Sequence, residues 1–462
     1  MNRPDWFDGL TRRRPSVKWI LYYAPRNPPG PEPARLEQCG GVHGVRRAEL
    51  SEWYWKTLDR AYIFLVQQGR PNLPANGPAL RIYLCSVTDV SRGRCDAVTT
   101  QFPLQKVSGH TTPRVGTMIM LPASNGEPVW EAELAQALTA AVHELSHALN
   151  MQVLPLLRFD RALDDARKQL LDDWEWFDEG MAVAAEAAFA AEQIRLRQRG
   201  DSNALPLCND WLCFALDWAD RPDRALHDPN AVYQAGFFVC YLERRMGGPQ
   251  FVRDVWAESA RVWEPVPPKD CTPLRALEKV CRLKGVDFCS ATNLDVFASG
   301  YCFDSYFLND SKSDAYEPEV FERFRERAVT RSWRMAEPAE WPDGTQEKYS
   351  LPGLACRYFR FMPPPKEKTA TLKVRVTGAS IQNLKAELAL AFGQPESGHR
   401  MSHQQCQAKR VLLQANGSGE LVGEIQNYPE SECHHAVLVV TNCDTISGPA
   451  LRVEFSVSAT LS

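Results

Sequence analysis

The stretch from Trp130 to Met151 constrains the fold most strongly, because it combines a helix pattern with polar side chains in apolar surroundings. It is rich in Ala, Leu and Glu, which favour a helix, and a proline follows shortly after its end. Within it, His143, Glu144 and His147 are flanked by small or apolar residues, as in a helix that passes through a core. Burying this trio without a partner is costly, and a bound metal ion removes the cost. The sequence therefore predicts a metal site on this helix.

The spacing of the trio indicates which metal and which chemistry. His143 and His147 follow the pattern H-E-x-x-H, and residues four apart lie on the same face of a helix, so both imidazoles can reach one cation. Imidazole nitrogens suit Zn²⁺, and a catalytic zinc site keeps one position for water. Glu144 can take a proton from that water as it attacks a peptide carbonyl. The alternative, a chance pentapeptide with packed histidines, is disfavoured by the apolar flanks.

A second segment, WFDEGMAVAAE, supplies carboxylates for a third metal ligand. We predict an aromatic turn at Trp174–Phe177 and an Ala-rich helix from about Glu179 to Arg199, so that the carboxylates stand at a helix N-terminus. At that position Asp178 is also expected to cap the helix and complement its dipole.

The pairing of HELSH with WFDEGMAVAAE resembles the gluzincin zinc peptidases, in which H-E-x-x-H is followed by a second helix carrying E-G-x-A. The resemblance implies that Glu179 is the third zinc ligand. It also implies that Glu186 hydrogen-bonds a ligating histidine and fixes its tautomer, the alternative being a solvated helix glutamate. Asp178 is a weaker candidate for such a supporting carboxylate.

The segment YQAGFFVCYLERRMGGPQF is similar to the Y-x-x-G helix of aminopeptidase-like gluzincins. That similarity implies that the hydroxyl of Tyr233 stabilises the tetrahedral oxyanion. The alternative is a core aromatic residue at the start of an amphipathic helix.

The chain also departs from the aminopeptidase pattern. Those enzymes carry a Gly-x-Met-Glu-Asn strand whose glutamate binds the free substrate amine, whereas the candidate strand Val115–Leu121 has no glutamate. The spacing from His147 to Glu179 is nearer that of collagenase-like gluzincins, and an edge strand would bind an extended peptide by main-chain pairing. We therefore expect an endopeptidase. The alternatives are an aminopeptidase with another amine-binding acid, and a binding or adhesion protein on a peptidase scaffold.

The predicted fold class is α+β, a zincin-type catalytic domain followed by a β-sandwich. The catalytic domain is expected over 15–335, with a small sheet and backing helix at 15–150 and a helical subdomain at 151–335, and the sandwich over 345–462. Further helices are expected at Arg46–Gln68, Val232–Met246, Pro249–Ala260, Pro273–Leu283 and Glu317–Arg327. Strands are expected at Val17–Tyr23, Leu80–Val87, Thr117–Leu121, Arg357–Phe361, Thr371–Val376, Ala386–Ala391, Arg410–Gln414, Ala436–Thr441 and Leu451–Ser458.

Net charge and the length of apolar runs limit the classes of partner that the chain can have. A net charge of −4 gives no reason to expect nucleic acid, and no apolar run approaches the roughly 18 to 20 residues that span a bilayer. We expect a peptide or protein substrate, and we leave open whether the C-terminal domain binds glycan or protein or only covers the catalytic domain.

Cysteine usage suggests an extracellular protein. There are 14 cysteines and no Cys-x-x-Cys pair, which favours disulfides over the alternative of buried free thiols, and the sequence does not fix their connectivity. Short loop-like spacings separate four pairs: Cys85 and Cys95, Cys208 and Cys213, Cys289 and Cys302, Cys433 and Cys443. Residues Met1 to Trp19 contain no apolar segment of the kind found in a secretory leader, so the protein is either intracellular or has a leader that is missing from this sequence. The cysteines favour the second alternative, and we therefore expect secretion.

Overall fold

The computed structural model describes residues 10–13, 19–23, 44–45, 47–71, 80–86, 98–103, 115–123, 129–151, 165–207, 217–261, 272–307, 328–334, 340–341, 347–363, 370–392, 410–429, 433–445 and 452–462. The predicted helix at 317–327 lies outside these residues, as do Cys95, Cys208 and Cys213.

The described residues contain helices α1 (Arg47–Gln67), α2 (Glu131–Asn150), α3 (Asp165–Gln198), α4 (Ala235–Arg245), α5 (Pro249–Arg261), α6 (Pro273–Leu283) and α7 (Phe303–Phe307). Short 3-10 turns lie at Val232–Gln234 and Ile381–Asn383, and a π-helical segment at Val296–Cys302. Strands in the N-terminal half are β1 (Leu10–Arg13), β2 (Trp19–Tyr23), β3 (Gly44–Val45), β4 (Leu80–Ser86), β5 (Val98–Pro103), β6 (Val115–Ala123) and β7 (Val129–Trp130). Those in the C-terminal half are β8 (Val329–Arg334), β9 (Glu340–Trp341), β10 (Tyr349–Pro352), β11 (Ala355–Met362), β12 (Ala370–Gly378), β13 (Leu384–Phe392), β14 (Val411–Leu412), β15 (Gln414–Ala415), β16 (Glu420–Tyr428), β17 (Cys433–Asn442) and β18 (Arg452–Leu461).

By contacts, these residues form two compact units. The first takes those of Met1–Cys213 and Ala235–Pro273, and the second those of Phe214–Gln234 and Leu274–Ser462. This division differs from the predicted ranges 15–335 and 345–462, because α6, α7 and the turn at 232–234 group with the C-terminal strands.

The first unit contains a mixed sheet of strand order β1-β2-β4-β6-β5. Its centre, β2, β4 and β6, is parallel, while β1 and β5 add antiparallel edges. The sequence predicted β2, β4 and β6 but not β5. The strand Val115–Ala123 was expected to be the edge strand that binds an extended peptide. It is not at the edge, because β5 pairs along it from Val98 to Pro103.

Helices cover this sheet and position the candidate site. α2 packs on β5, β6, α1 and α3, and α4 packs on α3 and α5. The core beneath them consists of fully buried apolar side chains, including Tyr54, Trp55, Leu58, Leu138, Leu145, Leu149 and Phe189. Polar residues of α2 thus lie in a helix whose other faces are buried, as the sequence pattern predicted.

The predicted turn at Trp174–Phe177 is wrong. The helix α3 runs without interruption from Asp165 to Gln198, so Glu179 lies inside it and Asp178 does not cap its N-terminus. Trp174, Trp176 and Phe177 are buried, because they face the core from a helix. Trp174 and Phe177 both pack against the ring of Trp256 on α5.

Two glycines allow α3 and α4 to approach closely. A methyl group added at Gly236 would overlap the side chain of Val183, and one at Gly180 would come within 3.0 Å of Val239. The glycines of the E-G-x-A and Y-x-x-G segments therefore have a packing reason in this fold.

Two sheets, antiparallel apart from one edge strand, form the C-terminal part of the second unit. One has the order β10-β18-β12-β16-β15 with β9 beside β18, and the other β14-β13-β17-β11-β8, in which β8 is parallel to β11. Phe359 of one sheet contacts Phe455 of the other, with ring centroids 6.2 Å apart. The chain is thus of mixed α and β class, as predicted.

The segment 287–306 packs on the second of these sheets. Tyr358 donates a hydrogen bond to the carbonyl of Cys302 (2.6 Å), and Ser299 donates one to Glu387 (2.8 Å). The strand β17 is buried along almost its whole length, from His435 to Asn442. This burial explains its continuous apolar run.

Within the described residues, none of the helices is both long and apolar enough to span a bilayer.

Candidate metal centre

Three side chains from α2 and α3 converge in the first unit. The Nε2 atom of His143 lies 2.9 Å from Oε2 of Glu179 and 3.1 Å from Nε2 of His147. The Nε2 atom of His147 lies 3.3 Å from the same Glu179 oxygen. Among the described residues this is the one group of three or more His, Cys, Asp or Glu side chains whose ligand atoms lie within 4.8 Å of one another.

The triangle of ligand atoms fits a zinc ion. Zinc lies about 2.0 to 2.1 Å from nitrogen or oxygen ligands in a tetrahedral site, so two ligands of the same ion are about 3.3 to 3.4 Å apart. The three observed separations are 2.9, 3.1 and 3.3 Å, so shifts of a few tenths of an ångström would suffice. Two imidazoles and one carboxylate are also a donor set that zinc prefers, and three protein ligands leave a position for water.

Each histidine has a carboxylate at its other ring nitrogen. The Oδ2 atom of Asp178 lies 3.0 Å from Nδ1 of His147, and the Oε2 atom of Glu186 lies 3.6 Å from Nδ1 of His143. Glu186 is two helical turns beyond Glu179, which brings it to the same side of α3. Contacts of this kind orient an imidazole and select the tautomer that presents Nε2 to a metal.

Asn150 and Trp256 hold Asp178 in position through hydrogen bonds. Asn150 donates a hydrogen bond from Nδ2 to Oδ1 of Asp178 (2.9 Å), and Trp256 donates one to the Asn150 carbonyl (3.0 Å). Both Asn150 and Asp178 are buried. The orientation of Asp178 is therefore determined by α2 and α5 as well as by its own helix.

The carboxylates around His143 and His147 favour positive charge at the site. Burial alone would lower the pKa of His143, but the neighbouring carboxylates of Glu179 and Glu186 outweigh burial and raise this pKa to about 10. For His147, burial is likewise outweighed by Asp178 and Glu179, and its pKa is well above the usual value. Burial would raise the pKa of Glu179, yet the two histidines hold it well below its usual range. Protons on the imidazoles supply the charge that a divalent cation would supply in their place.

The two residues assigned catalytic roles from the sequence have different surroundings. Glu144 is buried, with 7% of its surface exposed, next to His143 on α2. Tyr233 lies in the 3-10 turn before α4, is 41% exposed and groups with the second unit. It is thus not a core aromatic, and its role in the reaction stays a prediction.

Sequence reasoning missed Asn150 and Trp256. Asn150 lies three residues after His147 on the predicted helix, a spacing that places both on one side of it, and this could have indicated a supporting role. For Trp256 the sequence holds no comparable signal, because its contact depends on how α5 packs on α2.

Comparisons with known proteins give no family for the chain. No protein-family profile matches it, and neither does any curated protein. Among solved structures, a pre-peptidase C-terminal domain of collagenase from Bacillus anthracis is similar at 14% identity and a TM-score of 0.18, covering 28% of this chain and 94% of that domain. The periplasmic lysozyme inhibitor PliG from Aeromonas hydrophila is similar at 15% identity and a TM-score of 0.16, covering 28% of this chain and 99% of that protein. The mitogen YPM derived from Yersinia pseudotuberculosis is similar at 12% identity and a TM-score of 0.17, covering 27% of this chain and 87% of that protein. At such TM-scores none of these likenesses bears on function.

Proposed function

We propose that the chain is a zinc-dependent peptidase with a catalytic domain of the zincin type. The observation that carries the proposal is the convergence of His143, His147 and Glu179, whose ligand atoms are 2.9 to 3.3 Å apart. The carboxylates Asp178 and Glu186 behind the two imidazoles support it further. A structural ion pair would need neither the converging Nε2 atoms nor both supporting carboxylates.

The role proposed for each residue follows from the chemistry of its side chain. His143, His147 and Glu179 would hold the ion, and a zinc ion so held acidifies a water molecule and polarises a carbonyl. Glu144 is the general base that takes the proton of the attacking water and returns it to the leaving amine. The Tyr233 hydroxyl is assigned to the developing oxyanion, on its resemblance to the Y-x-x-G helix alone.

An endopeptidase is favoured over an aminopeptidase. The helix α2, which carries Glu144, packs against β5 and β6, and β5 is the last strand in the described order of that sheet. An extended peptide could add to such a strand by main-chain hydrogen bonds, beside the metal-binding helix. Neither Val98–Pro103 nor Val115–Ala123 contains a carboxylate that could bind a free amine.

The C-terminal sheets and the compartment complete the proposal. Secretion would bring the protein to extended protein substrates. The two C-terminal sheets are proposed as an additional binding surface for such a substrate or its glycans.

Metal depletion and reconstitution tests the proposed function. The full chain is treated with a zinc chelator, dialysed and reloaded with zinc, and cleavage of casein is measured at each stage. We expect cleavage to disappear with the metal and to return with it. A zinc-loaded protein that cleaves neither casein nor short peptides would contradict the proposal.

A matched peptide pair separates the two modes of cleavage. The same peptides are offered with free and with N-acetylated termini. An endopeptidase cleaves both at internal bonds at comparable rates, whereas an aminopeptidase requires the free amine. Loss of cleavage on acetylation would overturn the endopeptidase assignment and retain the zinc peptidase.

A further inference from the structure

A group of charged side chains in the second unit is largely buried where the segment 287–306 packs on β13. The Nζ atom of Lys385 lies 2.7 Å from Oδ2 of Asp295, and only 1% and 0% of these two side chains are exposed. Glu387 and Arg410 belong to the same group, with 3% and 12% of their side chains exposed. The group plays no part in the proposed zinc chemistry, so its burial needs a separate explanation.

The amine of Lys385 lies between two carboxylates. Besides its contact with Asp295, it donates to the backbone carbonyl of Asn293, and Oε1 of Glu387 is 3.7 Å away. Glu387 follows Lys385 by two residues on β13, so both side chains project from the same face of the strand. The amine is therefore close to a carboxyl carbon that it could attack and to a second carboxylate that could take its proton.

Backbone N–H groups hold the carboxylate of Asp295. Its Oδ1 atom accepts hydrogen bonds from Ala298 (2.5 Å) and Ser299 (3.1 Å). Two such donors on one carboxyl oxygen stabilise the negative charge that develops there when a nucleophile adds to the carbon. Burial raises the pKa of Asp295, although Lys385 and the two N–H groups oppose the rise, and a raised pKa helps Oδ2 to take up a proton and leave.

Two side chains hold Glu387 beside the amine. Ser299 donates its hydroxyl to Oε1 of Glu387 (2.8 Å), and Arg410 donates to Oε2. Arg410 is itself held, because it donates to the Ser299 carbonyl (2.9 Å) and its guanidinium carbon lies 3.9 Å from the centre of the Phe303 ring. Glu387 thus has the fixed position near a transferable proton that a general base needs.

An amide suits this site better than a salt bridge. Two opposite charges that are removed from water must recover a large desolvation cost, and a pair alone seldom recovers all of it. An amide between Lys385 and Asp295 removes both charges and leaves one N–H, which can donate to the Asn293 carbonyl that already accepts from Lys385. The Oδ1 atom would keep both of its backbone donors.

We propose that Lys385 and Asp295 form an intramolecular isopeptide bond, and that Glu387 carries the protons. The Nζ atom of Lys385 attacks Cγ of Asp295, a carbon–nitrogen bond forms, and the bond between Cγ and Oδ2 breaks. Of the three protons on the ammonium group, one stays on the amide nitrogen, and two pass by way of Glu387 to Oδ2, which leaves as water. The reaction needs no oxidant, reductant or cofactor. The bond joins the segment 287–306 to β13 between residues 90 positions apart in the sequence.

The intact mass of the full chain tests for the bond. We expect the reduced and denatured wild type to be lighter than its sequence requires by one water molecule. Lys385→Arg and Glu387→Gln should both keep that water, because the first removes the attacking amine and the second removes the base. Glu424→Gln is the matched control, since its carboxylate is 49% exposed on β16, and it should lose water as the wild type does. A wild type that retains the water would overturn the proposal, and a Glu387→Gln variant that loses it would overturn the role of Glu387.

Peptide mapping of the wild type locates the bond. Trypsin does not cleave after an amidated lysine, so the expected product is a branched peptide that joins residues 285–312 to residues 376–400. This product should survive reductant, which a disulfide would not. Linear peptides that end at Lys385 throughout, or a loss of water without the branched peptide, as in a succinimide at an aspartate, would overturn the proposal. The mapping decides the matter if the variants do not fold, and neither measurement depends on zinc or on peptidase activity.

Discussion

Asp178 is positioned by contacts at both of its carboxylate oxygens: Oδ2 lies 3.0 Å from Nδ1 of His147, while Oδ1 accepts a hydrogen bond from Asn150 at 2.9 Å. A carboxylate held in this way fixes the His147 ring and directs Nε2 towards His143 and Glu179. The residue that the sequence suggested as a helix cap thus lies in the middle of a helix, where it contacts His147, one of the proposed metal ligands.

Replacing Asp178 should weaken zinc binding without removing a ligand. We expect Asp178→Ala to lower zinc affinity by about 10- to 100-fold, because His147 loses the contact that orients it. Competition with a chromophoric chelator measures the affinity. The control is Glu175→Ala, which removes an exposed carboxylate one turn earlier on the same helix. Equal affinities in the two variants would contradict the role of Asp178.

Glu179 itself should be indispensable for the metal. Glu179→Gln keeps the size of the side chain but removes the charge, and we expect zinc content to fall to a small fraction of the wild-type value. Elemental analysis after dialysis measures it. The matched variant is Glu192→Gln on the same helix, whose carboxylate pairs with Arg195 at 3.2 Å, and it should retain zinc. Full zinc content in Glu179→Gln would show that this carboxylate is not a ligand.

Stability should depend on pH in opposite ways with and without zinc. In the metal-free protein the pKa of His143 is raised from 6.5 to about 10. The protonated His143 ring therefore adds to the free energy of unfolding below about pH 6.5, and this stabilisation is lost as the pH rises through 10. The lowered pKa of Glu179 contributes stability above its usual value of 4.5, which is lost on acidification. Zinc replaces the imidazole protons, so its binding releases protons and strengthens as the pH rises.

We therefore expect the Tm difference between zinc-loaded and chelated protein to grow from about pH 6 to about pH 9. Differential scanning fluorimetry in buffers that do not bind zinc measures this difference. A difference that stays constant or shrinks as the pH rises would contradict the competition between protons and metal.

Local patterns allowed much of the site to be predicted. H-E-x-x-H fixes a geometry within one helix, because residues four apart must share a face, and this holds however the rest of the chain packs. The aromatic run at 174–177 was misjudged because its side chains signal burial, and only the packing against Trp256 reveals that they are helical. The contact of Trp256 with Asn150 and the edge strand β5 could not be predicted for a similar reason, since each depends on a partner distant in sequence.

The close approach of α3 and α4 should be sensitive to one methyl group. Gly236→Ala places a carbon against Val183, and overpacking of this kind costs about 1 to 3 kcal/mol of stability. Urea unfolding measures the loss. The double variant Gly236→Ala/Val183→Ala removes the two Cγ atoms of Val183 but keeps its Cβ atom, 2.5 Å from the added carbon, so it should recover only part of the lost stability. A single variant as stable as the wild type would show that the helices separate without cost.

The most direct test of the central claim compares the wild type with Glu144→Gln, which leaves all three proposed ligands in place. We predict about one zinc per chain in both proteins, and casein cleavage that is at least about 100-fold slower in the variant, because only the general base is lost. A wild type that bound no zinc, or equal rates of casein cleavage in the two proteins, would contradict the assignment of a zinc peptidase with Glu144 as its base.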